Sequence, residues 1–223
     1  MFVRILRFLV MFVVWFMIVS VGLAIVYRFV PVPITATMVL NGDGITKDWT
    51  PLSRIDRDMV DAAIAGEDGK FCTHDGFDVQ AIEKAMKRNA RGGRIRGGST
   101  ISQQTAKNVF LWGGGGYFRK GLEAWFTLLI ESVWGKRRIM EVYLNVAETG
   151  IGTYGVEAGS QRYFHHSAAR MSATEAARIA AILPLPQKRG AVSPSGFTRR
   201  YGNTIAARIG TVRRDGLDAC IYD

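Results

Sequence analysis

Cysteine and histidine are scarce in this sequence, and their scarcity excludes several kinds of site. Cysteine occurs only at Cys72 and Cys220, so the chain is neither a disulfide-rich scaffold nor a cysteine-rich zinc module. Of the three histidines, His165 and His166 are adjacent, without the spacing of metal ligands, and His74 stands alone in a predicted loop. We therefore predict no metal site built from these residues. Since nothing in the sequence brings the two cysteines together, two free thiols are expected.

Nothing in the composition indicates disorder or internal repeats. Apolar residues make up 48% of the chain and charged residues 22%, which is the balance of a folded globular protein. No unit recurs with a period of roughly 20 to 50 residues, so a solenoid or a propeller is excluded. A chain of 223 residues has room for one or two domains.

Acidic residues are the scarcer charged class. The chain has 19 Asp and Glu against 29 Lys and Arg, a formal net charge of +10. Such an excess indicates an anionic partner, and nucleic acid, a membrane surface and a phosphorylated substrate all qualify. Composition alone does not choose among them.

A long uncharged run stands near the amino terminus. Residues Phe8 to Tyr27 contain no charge, and at ~1.5 Å per residue a helix of that length spans about 30 Å, the hydrocarbon thickness of a bilayer. A signal peptide has a shorter apolar core and a clear cleavage site, so we interpret the run as an uncleaved membrane anchor. Arg4 and Arg7 before it outnumber Arg28 after it, which predicts a cytoplasmic amino terminus.

This anchor divides the chain into two parts. Residues 1–30 are predicted to be a short cytoplasmic stub with one transmembrane helix, and residues 31–223 a single domain on the periplasmic side of the inner membrane. Leaving out the three arginines that flank the span, the rest of the chain keeps an excess of seven basic residues. The exported domain itself is therefore basic, and nucleic acid is not its expected partner.

Helical periodicity dominates the exported part. Ile55, Met59, Ala63 and Glu67 fall four residues apart, which predicts a helix with one apolar stripe. No alternating strand pattern is sustained, so the fold class is mainly α. Further helices are predicted after an N-cap at Asp78, from Thr100, along the Leu122, Phe126, Leu129 and Val133 face, and over residues 136–145 and 173–183.

Glu67 is the first candidate for chemistry. It continues an apolar stripe and ends its helix, so burial and the negative end of the helix dipole both favour its neutral form. A carboxyl group whose pKa is raised in this way can act as a general base near neutral pH. The alternative is an ordinary surface glutamate at a helix end.

The start of the helix at Thr100 has two explanations. Thr100 to Gln103 fits a capping box, which closes a helix end without any further function. The same helix start follows a basic, glycine-rich loop, a combination that also favours anion binding. The residues concerned are Arg91, Arg94 and Arg96 in the loop and Gln103, Gln104 and Lys107 on one helix face.

Arg119, Lys120 and Glu123 form a second charged group. The spacing of Arg119 and Glu123 is that of a surface salt bridge, which is the simplest explanation. Together with Lys107, however, the two cations are enough to neutralise a diphosphate leaving group.

Five short motifs in this order resemble the signatures of the peptidoglycan glycosyltransferases. They resemble in particular the monofunctional biosynthetic peptidoglycan transglycosylases, which are related to the glycosyltransferase domain of class A penicillin-binding proteins. The resemblance ends without the transpeptidase domain of the bifunctional penicillin-binding proteins, so a monofunctional protein is expected. The motifs are Glu67 to Asp78, Gly98 to Gln104 with Lys107 and Asn108, Arg119 to Glu123, Glu141 to Asn145, and Gly152 to Val156.

The resemblance implies a lysozyme-like α fold with a second, membrane-proximal lobe and a cleft between the two. It implies lipid II and the lipid-linked glycan chain as substrates, and cell-wall synthesis proteins as further partners. Glu67 becomes the base that deprotonates the acceptor, and Glu123 the second catalytic carboxylate. No tightly bound cofactor is implied, although a divalent cation, Mg or Mn, can assist. Substrate binding falls to Thr100, Gln104, Lys107, Arg119 and Lys120.

The resemblance is broken at Gly115. The family commonly has an arginine there, four residues before the Arg119 and Lys120 pair, so one phosphate contact is either missing or supplied by the loop with Arg91, Arg94 and Arg96. If that contact limits binding, Gly115→Arg is expected to tighten lipid II binding. The apolar segments on either side, residues 109–112 and residues 117–118, are expected to touch the outer leaflet.

Two other classes of function compete with this one. A membrane-anchored lytic transglycosylase or lysozyme-like hydrolase also uses a glutamate at a helix end, but it needs no cationic clamp for a diphosphate. A non-catalytic cell-wall scaffold explains the anchor and the positive charge, but not the pair Glu67 and Glu123.

Overall fold

The computed structural model describes residues 1–90 and 98–222, with the backbone alone for residues 88–90. It confirms the mainly α fold that the sequence predicts. The basic loop with Arg91, Arg94 and Arg96 lies outside the described residues. The helices are α1 (Phe2–Phe29), α2 (Ala36–Leu40), α3 (Arg57–Glu67), α4 (Val79–Ala90), α5 (Ile101–Phe110), α6 (Gly116–Val133), α7 (Gly135–Val146), α8 (Val156–Phe164), α9 (Ala173–Ile182), α10 (Gly196–Arg214) and α11 (Ala219–Tyr222).

Three short strands accompany these helices: β1 (Thr46–Lys47), β2 (Glu148–Gly150) and β3 (Thr153–Tyr154). The sheet order is β1-β3-β2, with β1 parallel and β2 antiparallel to β3. It ties the segment after α2 to the turn between α7 and α8. Each strand is too short to leave an alternating pattern in the sequence.

Helix capping follows the predicted signals. The Asp78 carboxylate accepts a hydrogen bond from the backbone N–H of Ala81 at 2.9 Å, as expected for the start of α4. Asp56 caps α3 in the same way through the N–H of Asp58. Helix α10 was not predicted, because its apolar face is limited to a few positions among arginines and glycines.

The first packed group consists of α3, α9 and α10, which contact one another pairwise. Helix α9 presents a buried row of alanines, and small side chains let neighbouring helices approach closely. At the end of α3, a Cβ on Gly66 would lie 3.0 Å from the Ile205 side chain of α10. The end of α3, where Glu67 lies, therefore packs closely against α10.

The second packed group consists of α5, α6 and α7, with the anchor α1 against α6. Helix α1 is the one described helix that is long and apolar enough to cross a membrane, and it exceeds the predicted span at both ends. Its buried residues are Ser20 and Ala24. Trp125 Nε1 donates to Ser20 Oγ at 3.2 Å, and Trp134 Nε1 donates to the Ala24 carbonyl at 2.7 Å. The anchor is thus docked on the folded domain.

The expectation that residues 109–112 touch lipid was wrong for most of that segment. Val109 and Leu111 are buried in the core, and Phe110 stacks on Phe126 with 4.4 Å between ring centroids. The physical reason is that α5 packs against α6 and α7, which covers this end of the helix. Tyr117 and Phe118 differ, since they are 98% and 74% exposed.

The expectation of two free thiols was also wrong. Cys72 and Cys220 form a disulfide across 148 residues of sequence. Their sulfurs meet because the carboxyl-terminal segment returns to the loop after α3. That return is stabilised by an ion pair of 2.6 Å between Arg57 and Asp218, and by a hydrogen bond from Arg137 to the Ile221 carbonyl.

Candidate active site

Glu67 is the last residue of α3, as predicted, and its carboxyl group has one neutral partner. Gln104 Nε2 donates a hydrogen bond to Glu67 Oε2 at 2.8 Å. Glu67 Oε1 is buried and has no hydrogen-bond partner among the described residues. Burial raises the pKa of the Glu67 carboxyl, and the hydrogen bond from Gln104 only partly opposes this effect. The group is therefore a carboxyl that resists ionisation and has one oxygen without a protein partner among the described residues.

Asp68 differs from its neighbour Glu67 because its carboxylate makes structural hydrogen bonds. Its carboxylate accepts hydrogen bonds from His74 Nε2 at 2.9 Å and from the backbone N–H of Ile101 at 3.0 Å. Asp68 thereby ties the end of α3 to the first turn of α5. His74 therefore has a structural contact in this loop, since its other ring nitrogen accepts a hydrogen bond from the N–H of Gly76 at 3.0 Å.

Thr100 closes the start of α5, so the capping explanation of the sequence is confirmed. Thr100 and Gln103 form a capping box, and both side chains are buried. The Thr100 hydroxyl also donates to the Gly76 carbonyl at 2.6 Å. Because that hydroxyl already has protein partners on both sides, we assign Thr100 to the fold and not to substrate binding.

Gln104 and Lys107 line a cavity of about 310 Å³. The Lys107 side chain makes no ion pair or hydrogen bond within the described part of the chain. Burial lowers the pKa of its ammonium group, while the charges of Glu123 and Glu67 act in the opposite direction. The Lys107 ammonium group therefore feels both carboxyl groups and has no protein partner among the described residues. Other residues of the cavity wall are Thr37, Asn41, Asn108, Tyr143, Glu148 and Tyr154.

Glu123 is a buried carboxylate with two cationic partners. Arg119 Nη1 lies 2.7 Å from Glu123 Oε2, and Lys120 Nζ contacts Glu123 Oε1. The Glu123 side chain is 4% exposed, so the explanation as a surface salt bridge was wrong. Lys120 is about half exposed. Two cations on one carboxylate leave a net positive charge at the start of α6, as an anion site requires.

The structure also bears on the missing arginine at Gly115. Gly115 is the N-cap of α6 with φ of 86°, a conformation that favours glycine. A Cβ there would lie 2.8 Å from Arg119 Cβ and 3.2 Å from Trp112 Nε1. A side chain at this position would therefore displace Arg119, which opposes the gain in binding expected from Gly115→Arg, and that gain stays a prediction.

Two residues of the cavity wall were given no role by the sequence. Tyr143 lies on α7 and is fully buried, and Glu148 begins β2 and accepts a hydrogen bond from Gln187 Nε2 at 3.2 Å. Burial raises the pKa of the Glu148 carboxyl. Tyr143 lies within the Glu141 to Asn145 motif, and Glu148 follows it by three residues. Closeness to that motif was the sequence feature that could have marked both as residues of the site.

The described residues do not form a metal cage. No group of three or more His, Cys, Asp and Glu side chains lies together in residues 1–90 and 98–222. The carboxylate of Glu123, the nearest acidic candidate, is already neutralised by Arg119 and Lys120. A divalent cation therefore does not fit a site built from these side chains.

Comparison with known proteins agrees with this geometry. The family model described as Transglycosylase matches residues 35–209. A biosynthetic peptidoglycan transglycosylase of Caulobacter vibrioides is 52% identical over 200 residues, which cover 88% of this chain and 87% of that protein. Proteins of the same description from Rhodospirillum centenum and Bdellovibrio bacteriovorus are 49% and 47% identical, covering 91% and 97% of this chain and 90% of each relative. The chain therefore belongs to the transglycosylase family.

Proposed function

We propose that the chain is a peptidoglycan glycosyltransferase that polymerises lipid II into β-1,4-linked glycan strands and releases undecaprenyl diphosphate. The observation that carries this proposal is the division of labour between two carboxyl groups. Glu67 has one neutral partner and a raised pKa, whereas Glu123 is held by Arg119 and Lys120. The charges of both glutamates act on Lys107. The first arrangement suits a base, and the second suits a charged leaving group.

In the proposed reaction, ionised Glu67 accepts the proton of the 4-hydroxyl of the acceptor sugar. That oxygen attacks C1 of the lipid-linked chain from the face opposite the diphosphate, and the bond from C1 to the phosphate oxygen breaks. The configuration at C1 is inverted, and the electron pair leaves with the diphosphate. A carboxylate whose pKa is raised is the stronger base for this transfer.

The leaving diphosphate gains negative charge as its bond breaks, and preorganised cations stabilise that charge. In the proposed complex, Lys107, Arg119 and Lys120 are those cations, and Gln104 orients Glu67. Glu123 keeps Arg119 and Lys120 in place, which explains a buried carboxylate within a cationic site. A Mg²⁺ or Mn²⁺ ion that assists is proposed to bind through the phosphates of the substrate and not through a protein cage.

We further propose that the domain works on the periplasmic face of the inner membrane. The arginine bias around α1 supports a cytoplasmic amino terminus. Trp125 of α6 and Trp134 at its C-cap bind Ser20 and Ala24 of the anchor, which holds α6 against the membrane-spanning helix. Exposed Tyr117 and Phe118 at the start of α6 then suit the outer leaflet. A lipid-linked substrate can reach such a site without leaving the membrane.

Polymerisation of purified lipid II by the full-length protein in detergent micelles tests the proposal, with glycan strands resolved on a gel. The wild type is expected to form strands, and Glu67→Gln and Glu123→Gln to form none within a time that gives the wild type full conversion. Glu83→Gln is the matched control, because Glu83 lies exposed on α4 in a surface ion pair with Lys87. Its activity should equal that of the wild type.

The same preparation separates the competing functions. Digestion of purified sacculi without strand formation would favour a hydrolase. Well-folded wild type that neither builds nor digests glycan would favour a scaffold. Either result contradicts the proposal.

A further inference from the structure

The hydroxyl group of Tyr143 is a buried polar group without a hydrogen-bond partner. The Tyr143 side chain is 0% exposed, and its oxygen has no partner among the described residues. Most buried hydroxyls in folded proteins are hydrogen-bonded, since leaving one unpaired costs stability. Phenylalanine would fill the same space without that cost. The hydroxyl at this position therefore needs an explanation outside the fold.

The surroundings of the Tyr143 hydroxyl indicate what kind of partner it binds. Tyr143 shares the cavity wall with Gln104 and Lys107, and Gln104 is the residue that holds Glu67. Burial, followed by the nearby charges of Glu67 and other groups, raises the pKa of the Tyr143 phenol well above 10. Tyr143 thus remains a neutral O–H donor at any working pH.

A second tyrosine in the same cavity shows the contrast. Tyr154 is also buried, but its hydroxyl accepts a hydrogen bond from Asn41 Nδ2 at 3.0 Å. The cavity is therefore able to pair a phenol with protein when the fold requires it. The Tyr143 hydroxyl and Glu67 Oε1 are both left unpaired among the described residues, and the charge of Glu67 acts on the Tyr143 phenol.

We propose that Tyr143 contacts the substrate, and that its hydroxyl donates a hydrogen bond to an oxygen of the acceptor sugar whose 4-hydroxyl is deprotonated by Glu67. A neutral donor suits a sugar hydroxyl or acetamido oxygen, whereas the diphosphate is bound by the cations around Glu123. The bond holds the acceptor beside Glu67 Oε1, the unpaired oxygen that receives the proton. This inference rests on the proposed function and names a residue of its acceptor site.

Tyr143→Phe in the full-length protein tests the inference, because it removes only the hydroxyl. The melting temperature is expected to equal or exceed that of the wild type, since an unpaired buried group is lost. The kcat/KM for lipid II polymerisation is expected to fall about 5- to 50-fold, the range for a lost substrate hydrogen bond. The acid limb of kcat/KM against pH should not move, because Tyr143 and Glu67 make no hydrogen bond in the free protein.

Tyr154→Phe is the matched comparison for stability. It removes a hydroxyl that has a protein partner, so its melting temperature should fall below that of the wild type, opposite in direction to Tyr143→Phe. The two variants share the residue type, the cavity and the chemical change. Only the pairing of the hydroxyl differs.

Three results overturn the inference. They are an unchanged kcat/KM in Tyr143→Phe, a lower melting temperature in that variant, and a shifted acid limb, which would assign the hydroxyl to Glu67 itself. Wild type that forms no glycan would instead contradict the proposed function, so the two failures are distinguishable.

Discussion

Two glutamates show how the environment of a side chain decides its role. Glu67 and Glu123 have the same chemistry in the unfolded chain, but their partners in the fold are opposite in kind. Glu67 receives one hydrogen bond from the neutral amide of Gln104, and Glu123 contacts Arg119 and Lys120. Separation of two carboxyl groups by environment is a common way to assign acid and base roles within one site.

At the residue scale, Glu67→Gln is expected to stabilise the protein at high pH. The pKa of Glu67 is raised above its ordinary value of 4.5, so the folded state binds its proton more tightly than the unfolded chain does. Ionisation of Glu67 therefore costs stability at pH values above the raised pKa, and it costs nothing below pH 4.5. The melting temperature of the variant should exceed that of the wild type at pH 8.

Melting curves of both proteins between pH 4 and pH 8 measure this difference. The two melting temperatures should converge as the pH falls, because Glu67 is then protonated in both states. A difference that is constant across this range would contradict a raised pKa. Glu83→Gln serves again as the control, since exposed Glu83 has no buried charge to lose.

At the scale of elements, the start of α5 is a junction of three segments. Asp68 from the end of α3 accepts from Ile101, and Thr100 binds Gly76 from the intervening loop. The junction fixes Gln104, one turn further along α5, against Glu67. A capping box in the sequence thus contributes to the site by position and not by contact with substrate.

Thr100→Ala is expected to lower the free energy of unfolding by about 1–2 kcal/mol, the usual cost of a lost N-cap. Denaturant unfolding of the detergent-solubilised protein measures it. Thr204→Ala is the matched control, because Thr204 is exposed on α10 and its hydroxyl donates, among the described residues, to the Arg200 carbonyl of its own helix alone. If Thr100→Ala kept the stability of the wild type but bound lipid II more weakly, Thr100 would be a substrate-binding residue instead.

At the scale of the whole molecule, the disulfide joins the carboxyl-terminal segment to the loop that follows Glu67. Residues beyond 209 lie outside the matched family region, yet they contact α3 directly. Arg213 contacts Asp58 and pairs with Asp61 at 2.5 Å, and Asp218 pairs with Arg57. This segment therefore supports the first half of α3.

The double variant Cys72→Ser with Cys220→Ser is expected to lose about 2–5 kcal/mol of stability, because the disulfide no longer restricts the unfolded chain. For a protein of this size the loss corresponds to a melting temperature lower by roughly 5–15 °C. Circular dichroism with and without a dithiol reductant measures the change.

Reductant should lower the melting temperature of the wild type and leave that of the double variant unchanged. The double variant is its own control for other effects of the reductant. Two free thiols in wild type purified from an oxidising compartment would contradict the disulfide.

The sequence by itself determined the features that depend on neighbours along the chain. The anchor, the helix ending at Glu67, the cap at Asp78 and the charged group around Glu123 all follow from local spacing. The ordered motifs determined the family in the same way. These features were predictable because helix periodicity and capping act within a few residues.

Only the tertiary structure decided which of these groups meet. The Cys72 and Cys220 bond, the burial of Phe110 and the pairing of Gln104 with Glu67 join segments that are distant in sequence. The unpaired hydroxyl of Tyr143 is likewise invisible in the sequence, because burial and the absence of a partner are properties of packing. Local patterns identified the candidate site residues, and long-range packing decided how buried each one is and which residues it contacts.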